Sequence, residues 1–253
     1  MKKVKGKLNI PTRGPQGMQT GVPYSPQSAP AAAPAGQGQQ QAGQRPPVIM
    51  IAVPAMETVH TEFAQHLAMA TAHLTRAGAL VTCAFNIGSV ITLARRNLVN
   101  HFLQSGADYI WWLDSDMKFP IDAGVRLLNR NKDIVGVNYR RRRFPNPTFT
   151  AMVGKPGTYT ELQTTPNSPP MEAIDVLPHG CVMVKREVYL KVPQPHYLQE
   201  YIPELNIELG EDLYFCREAQ KVGYTVWCDH ELSRECAHIG VFHFNWDLSV
   251  PNE

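Results

Sequence analysis

Residues 109–116 read Tyr109-Ile110-Trp111-Trp112-Leu113-Asp114-Ser115-Asp116. Five apolar or aromatic residues in an unbroken run describe a strand buried on both faces, and the run ends directly in acids. Carboxylates at the C-terminal end of a buried strand stand where open α/β sheets bind ligands. Asp114 and Asp116 are one residue apart. In an extended chain both side chains leave the same face and can serve one cation and its attached phosphates. A merely solvated loop needs no such buried approach.

Upstream, short apolar runs alternate with amphipathic segments, the pattern of an α/β domain. Val48 to Val53 reads as a buried strand closed by Pro54, and Thr58 to Ala77 carries Phe63, Leu67, Ala70 and Leu74 on one helical face before Gly78. Leu80 to Phe85 is a second strand. Ser89 is placed to cap a helix with Val90, Ala94, Leu98 and Phe102 at every fourth position, ended by Gly106. On that reading Arg96 and Asn97 lie on the helix flank.

Downstream, a helix near Ile121 to Asn129 leads to a strand at Ile134 to Val137 and then to the basic run Arg140 to Arg143. Prolines and polar residues from Pro145 to Pro170 indicate irregular structure with room for a hairpin. Cys181 to Val184 is a strand entered through His179-Gly180. Gly210-Glu211-Asp212 opens a last amphipathic helix with Phe215, Ala219 and Val222 inward, and Tyr224 to Cys228 is a strand. The two acids of that first turn fit helix capping, because the dipole favours negative charge there; they equally supply a general base. His238 reads either as a packed imidazole or as a ligand to the cation that Asp116 binds. Trp246 and His243 either cover the site or belong to the core.

The chain has 253 residues, 43% of them hydrophobic, enough for a real core. Net charge is +2, unevenly placed: residues 1–46 hold six bases and no acid, and the rest holds 18 bases against 22 acids. Of those 46 residues, 28 are Pro, Gly, Gln or Ala, so the segment reads as a disordered basic tail before a domain at 47–253. No stretch approaches the roughly 20 apolar residues of a membrane span, and no apolar h-region follows Lys2 to Lys7, so no membrane insertion and a cytoplasmic location are expected. Five widely spaced cysteines without a Cys-x-x-Cys pair argue against a disulfide scaffold. Cys228, Cys236 and His238 come nearest to a zinc pattern but lack a second half-site.

Taken in order, Arg96-Asn97, then Trp112-Leu113-Asp114-Ser115-Asp116 with Phe119-Pro120, then Gly210-Glu211-Asp212 and finally His238-Ile239-Gly240, the chain resembles the GT-A-fold glycosyltransferases, particularly the family-2-like group, over about residues 48–240. The resemblance implies a GT-A (Rossmann-like) mixed sheet flanked by helices in a single domain. It implies that Asp116 is the principal metal ligand, with His238 as second protein ligand, and that Asp114 contacts ribose or a metal-bound water. Ser115 belongs to the same donor loop. Asp212 becomes the base, with Glu211 as its substitute, and Pro54, Arg96 and Asn97 line the nucleotide pocket. The sequence departs from the commoner pattern at Pro178-His179-Gly180, where the acceptor-side strand begins.

The implied activity is metal-dependent, inverting transfer of a sugar from a nucleotide-sugar donor to an acceptor hydroxyl. One imidazole among carboxylates favours Mn²⁺ over Mg²⁺. Some similar enzymes of phages act on hydroxymethylated pyrimidines in DNA, so the acceptor is a saccharide or such DNA. Arg140 to Arg143 fits a solvated loop, closure over the donor diphosphate, or contact with a polyanion. Two rival classes are a nucleotidyltransferase using the same carboxylates and a nucleic-acid-binding protein with a silent domain.

Overall fold

The computed structural model describes residues 45–143, 145–240 and 246. The expected tail, except Arg45 and Pro46, and His243 lie outside the described residues. In chain order the elements are β1 (Val48–Ala55), α1 (Thr61–Arg76), β2 (Leu80–Ile87), α2 (Ile91–Ser105), β3 (Tyr109–Leu113), β4 (Met117–Lys118), α3 (Ala123–Asn129) and β5 (Ile134–Gly136). They continue with β6 (Met152–Val153), β7 (Thr160–Glu161), β8 (Met171–Ile174), β9 (Cys181–Lys185), α4 (Arg186–Lys191), β10 (Glu200–Ile202) and β11 (Ile207–Leu209). The last are α5 (Glu211–Lys221), β12 (Val226–Asp229), α6 (His230–Ser233) and β13 (Ala237–His238).

Seven strands form one mixed sheet in the order β2-β1-β3-β9-β5-β12-β8. β1 runs parallel to β2 and β3, while β9 is antiparallel to both β3 and β5. The central strands are apolar on both sides because both sides are covered. Their period of two splits the tryptophan pair: Trp112 joins Met50, Leu98, Phe102 and Phe215 in one core layer, and Trp111 joins Ile49, Phe63, Leu74 and Phe119 in the other. Both rings are fully buried. The hairpin allowed for between Pro145 and Pro170 is the pair β6–β7.

Local differences from the sequence reading have local causes. β1 continues through Pro54, because its pairing with β3 stops at Ala52↔Trp112 and the missing N–H falls beyond that ladder. Ser89 is not a cap: α2 starts one residue further on, with Val90 at its N-cap and no side-chain cap bond. The helix does end at Gly106, whose φ of 74° is the left-handed turn that favours glycine. Arg45, placed in the tail by composition, docks instead. Its guanidinium forks onto Asp108 at 2.9 and 2.6 Å, and Asp108 also accepts the N–H of Val48. Among the described residues no helix is long and apolar enough to cross a membrane.

Candidate active site

β3 delivers Asp114 at its C-terminal end, where the Asp114 N–H donates to the Gly180 carbonyl at 3.0 Å. The chain then turns, with the Met117 N–H on the Asp114 carbonyl, and enters β4. Because Asp-Ser-Asp lies in this turn and not in an extended strand, its two carboxylates take different partners. Asp114 pairs with Arg95, and Asp116 pairs with His238 and Arg142. All three residues of the turn still border one cavity of about 320 Å³, together with Pro54, Ala55, Met56, Gly88, Ser89, Ile91, Arg142 and His238.

His238 reaches the turn through a two-residue ribbon, β13 against β4, that pairs His238 with Met117. Its Nε2 is 3.3 Å from Asp116 Oδ1, and its Nδ1 is 3.3 Å from the Arg140 carbonyl oxygen. The ring also meets Tyr139 edge-on. Arg142 approaches the other oxygen of Asp116 at 2.9 Å. Burial alone would raise the Asp116 carboxyl, but the His238 contact and the Arg142 charge outweigh it and hold it below its usual value. Among the described residues, no three His, Cys, Asp or Glu side chains stand together as a ready-made metal centre. Asp116 and His238 are in direct contact, and both nitrogens of the ring face oxygen. Cys228 packs beside His230 and Ser233, apart from His238, so the loose zinc pattern is not assembled.

α5 opens with Glu211 and Asp212, neither of which lines that cavity. Arg95 of α2 donates from Nε to Glu211 at 3.1 Å and from Nη2 to Asp114 at 3.0 Å, with only 3% of its side chain exposed. Burial would lower the guanidinium's affinity for its proton, but Asp114 and Glu211 reverse that and keep it charged. Asp212 accepts the Leu213 N–H at 2.8 Å. Burial, with the Glu211 charge adding and Arg95 opposing, pushes its carboxyl up to about 6. Asp114 is likewise raised by burial against the pull of Arg95.

The Pro178-His179-Gly180 segment packs behind Asp114, whose N–H donates to the Gly180 carbonyl. His179 is buried against Tyr197 and Phe215, and burial with the nearby Arg95 charge lowers it far enough to be neutral. Gly180 cannot be larger: a Cβ there would lie 2.3 Å from the Tyr139 hydroxyl, which accepts the Gly180 N–H.

The structure therefore gathers Pro54, Asp114, Ser115, Asp116 and His238 around one cavity and ties Glu211 to it through Arg95. It does not bring Arg96 or Asn97 there. Arg96 lines a separate cavity with Asn100, Gln194, Pro195 and His196, and Asn97 is exposed. Two contributors, Arg95 and Tyr139, are not singled out by the sequence, whereas Arg142 falls within the basic run read there as able to close over the donor. Arg95 had a signal: it lies three, four and seven residues before Leu98, Val99 and Phe102, on the buried stripe, where an arginine needs acidic partners.

No protein-family model matches the chain, and no curated protein matches it in sequence. Among solved structures it is similar to A197 from STIV, with a TM-score of 0.53 and 15% identity over 83% of this chain and 98% of that one. The chain has a GT-A-like fold. At this identity the likeness is one of architecture alone. In the GT-A-like frame the cavity lies at the C-terminal ends of β1 and β3, where an open α/β sheet presents its ligand crevice.

Proposed function

We propose that this chain is a metal-dependent, inverting glycosyltransferase that moves a sugar from a nucleotide-sugar donor to an acceptor hydroxyl. The observation that carries this reading is that Arg95 joins a second acidic group to the acidic turn that lines the cavity. The Asp114-Ser115-Asp116 turn stands there with His238, and the Glu211-Asp212 helix start is tied to it by Arg95.

Asp116 and His238 are the residues that would hold Mn²⁺ or Mg²⁺, with donor phosphates and water completing the shell. When bound, such an ion stabilises the charge that builds on the departing diphosphate. Arg142, already at the cavity wall, is placed to follow that charge. The apolar rim of Ala55, Met56 and Ile91 offers a surface for a flat base. Asp212 takes the proton of the acceptor hydroxyl as its oxygen bonds to the anomeric carbon. The bond from that carbon to the diphosphate oxygen breaks, and the diphosphate leaves with the electron pair. A carboxyl poised near 6 is ionised at neutral pH and remains basic enough for this task.

The acceptor is a saccharide or a hydroxymethylated pyrimidine in DNA; Arg141 and Arg143 are exposed beside the cavity's Arg142 and suit the latter. The deciding experiment offers a panel of nucleotide sugars with Mn²⁺ and quantifies the products. Nucleoside diphosphate is expected. Release of pyrophosphate would show a nucleotidyltransferase, and no turnover of any donor would overturn the reading.

A further inference from the structure

Arg95 is an unusual residue for a helix interior. Its side chain is 3% exposed, and its guanidinium lies 5.2 Å from the Trp112 ring centre and 5.9 Å from that of Tyr197. Those rings are themselves fixed by hydrogen bonds through Tyr189, from Trp112 Nε1 at 2.8 Å and to Tyr197 at 2.7 Å. The plane of the fork is thus set before it meets a carboxylate. One edge then reaches Glu211 at the start of α5 and another Asp114 at the cavity, residues that belong to different elements. A guanidinium can serve two directions at once, which an ammonium on a flexible stem does poorly.

Helix geometry adds a constraint. Consecutive residues of a helix diverge by about 100°. With Glu211 drawn to Arg95, Asp212 points elsewhere and accepts the N–H of its neighbour Leu213. Among the described residues Asp114 and Glu211 each have an arginine partner, and no ion pair engages Asp212.

We propose that Arg95 is a positioning residue that divides the work of these acids: by pinning Glu211 and Asp114 it leaves Asp212 as the carboxylate that accepts the acceptor's proton. This inference rests on the transferase reading above. It differs from a purely structural bridge in one respect. A bridge that only holds the fold lowers every rate together, whereas a residue that selects between two adjacent acids changes which of them matters.

The test uses the full chain and a nucleotide sugar that it turns over. Transfer rates are measured for Glu211→Gln and Asp212→Asn, each in the parent, Arg95→Lys and Arg95→Gln backgrounds. In the parent the Glu211→Gln variant should be faster than Asp212→Asn by about 10²-fold. In Arg95→Gln the released Glu211 can substitute, and the two rates should come within about threefold of each other. Arg95→Lys, which keeps the charge but not the fork, should give an intermediate ratio, and it carries the test if Arg95→Gln fails to fold. A ratio unchanged from the parent would sink the division of labour while leaving the transferase standing. Failure of the parent chain to turn over any nucleotide sugar would overturn both together.

Discussion

Nε2 of His238 stands 3.3 Å from Oδ1 of Asp116, while Nδ1 of the same ring faces the Arg140 carbonyl at 3.3 Å. A neutral imidazole has one N–H and can satisfy one of these oxygens. The hydrogen bond to Arg140 fixes the ring and leaves Nε2 directed at the carboxylate, which is how metal-bound histidines are oriented by their outer partners. The contact is built by the β13–β4 ribbon and not by any local sequence motif.

The first expectation concerns the ion. Chelation should abolish transfer and Mn²⁺ should restore it. Asp116→Ala should weaken donor binding as well as rate, since that carboxylate is one of the two proposed ligands. Undiminished activity in excess chelator would remove the metal from the proposal.

Asp212→Asn preserves size but cannot accept a proton at neutral pH. Transfer should fall by about 10²-fold or more while donor affinity, read by titration calorimetry, stays near that of the parent. Glu211→Gln should cost less. The reverse order would identify Glu211 as the base.

Acidity offers an independent check. With Asp212 raised to about 6, the transfer rate should climb with pH through that value and level off above it. Stability should run the other way. The folded chain binds this proton more tightly than the unfolded one, so the contribution is complete below the unfolded carboxyl's range near 4 and is lost as pH rises through about 6. Asp212→Asn should therefore be more stable at neutral pH, by about 1 kcal/mol or a melting point about 2–4 °C higher. A destabilised asparagine variant would contradict the burial on which this rests.

Much of this was legible in the sequence, for reasons that can be named. The run 109–113 predicts β3 to the residue, because a strand covered on both faces must be apolar throughout. Gly106 and Gly210 mark helix ends through backbone chemistry. The sequence does not show that β9 runs antiparallel between β3 and β5, since pairing partners leave no local signature. The resemblance points to Arg96, whereas Arg95 is the buried residue, and a stripe counted through Val90 and Ala94 leaves Arg95 looking peripheral. Counting back from Leu98, Val99 and Phe102 places Arg95 inside. The basic run 140–143 is legible in the sequence, but that Arg142 is the member engaging Asp116 is a tertiary matter without a local signal.

The basic run separates into two kinds of residue. Arg140 lies on the Phe149 ring and donates to the carbonyls of Pro147 and Trp246, and Arg142 is engaged by Asp116. Arg141 and Arg143 are exposed. If the acceptor is DNA, replacing both with alanine should weaken DNA binding at low salt and reduce the slope of log K against log salt by about 2. An unchanged slope, with a free saccharide glycosylated in the same assay, would leave the enzyme and remove the DNA acceptor.

A chain begun at Arg45 should melt at about the temperature of the whole. One begun at Val48 loses the fork onto Asp108, an exposed pair, and should melt no more than about 4 °C lower. A large fall for the first of these would show that residues 1–44 contribute to the folded domain.

The reversed strand β9 also bears on how the molecule reaches its folded state. β3, which carries the acidic turn, has β1 on one side early in the chain, but its other neighbour is β9, whose residues come some seventy positions later. Until Cys181 pairs with Leu113 the tryptophan strand is an open hydrophobic edge, the kind of surface that chains in mid-synthesis expose to aggregation. Closing that edge requires long loops to be gathered first, so assembly of the sheet's centre should be the slow, cooperative step. The β13–β4 ribbon, whose β13 comes last in the chain, is what brings His238 beside the acidic turn.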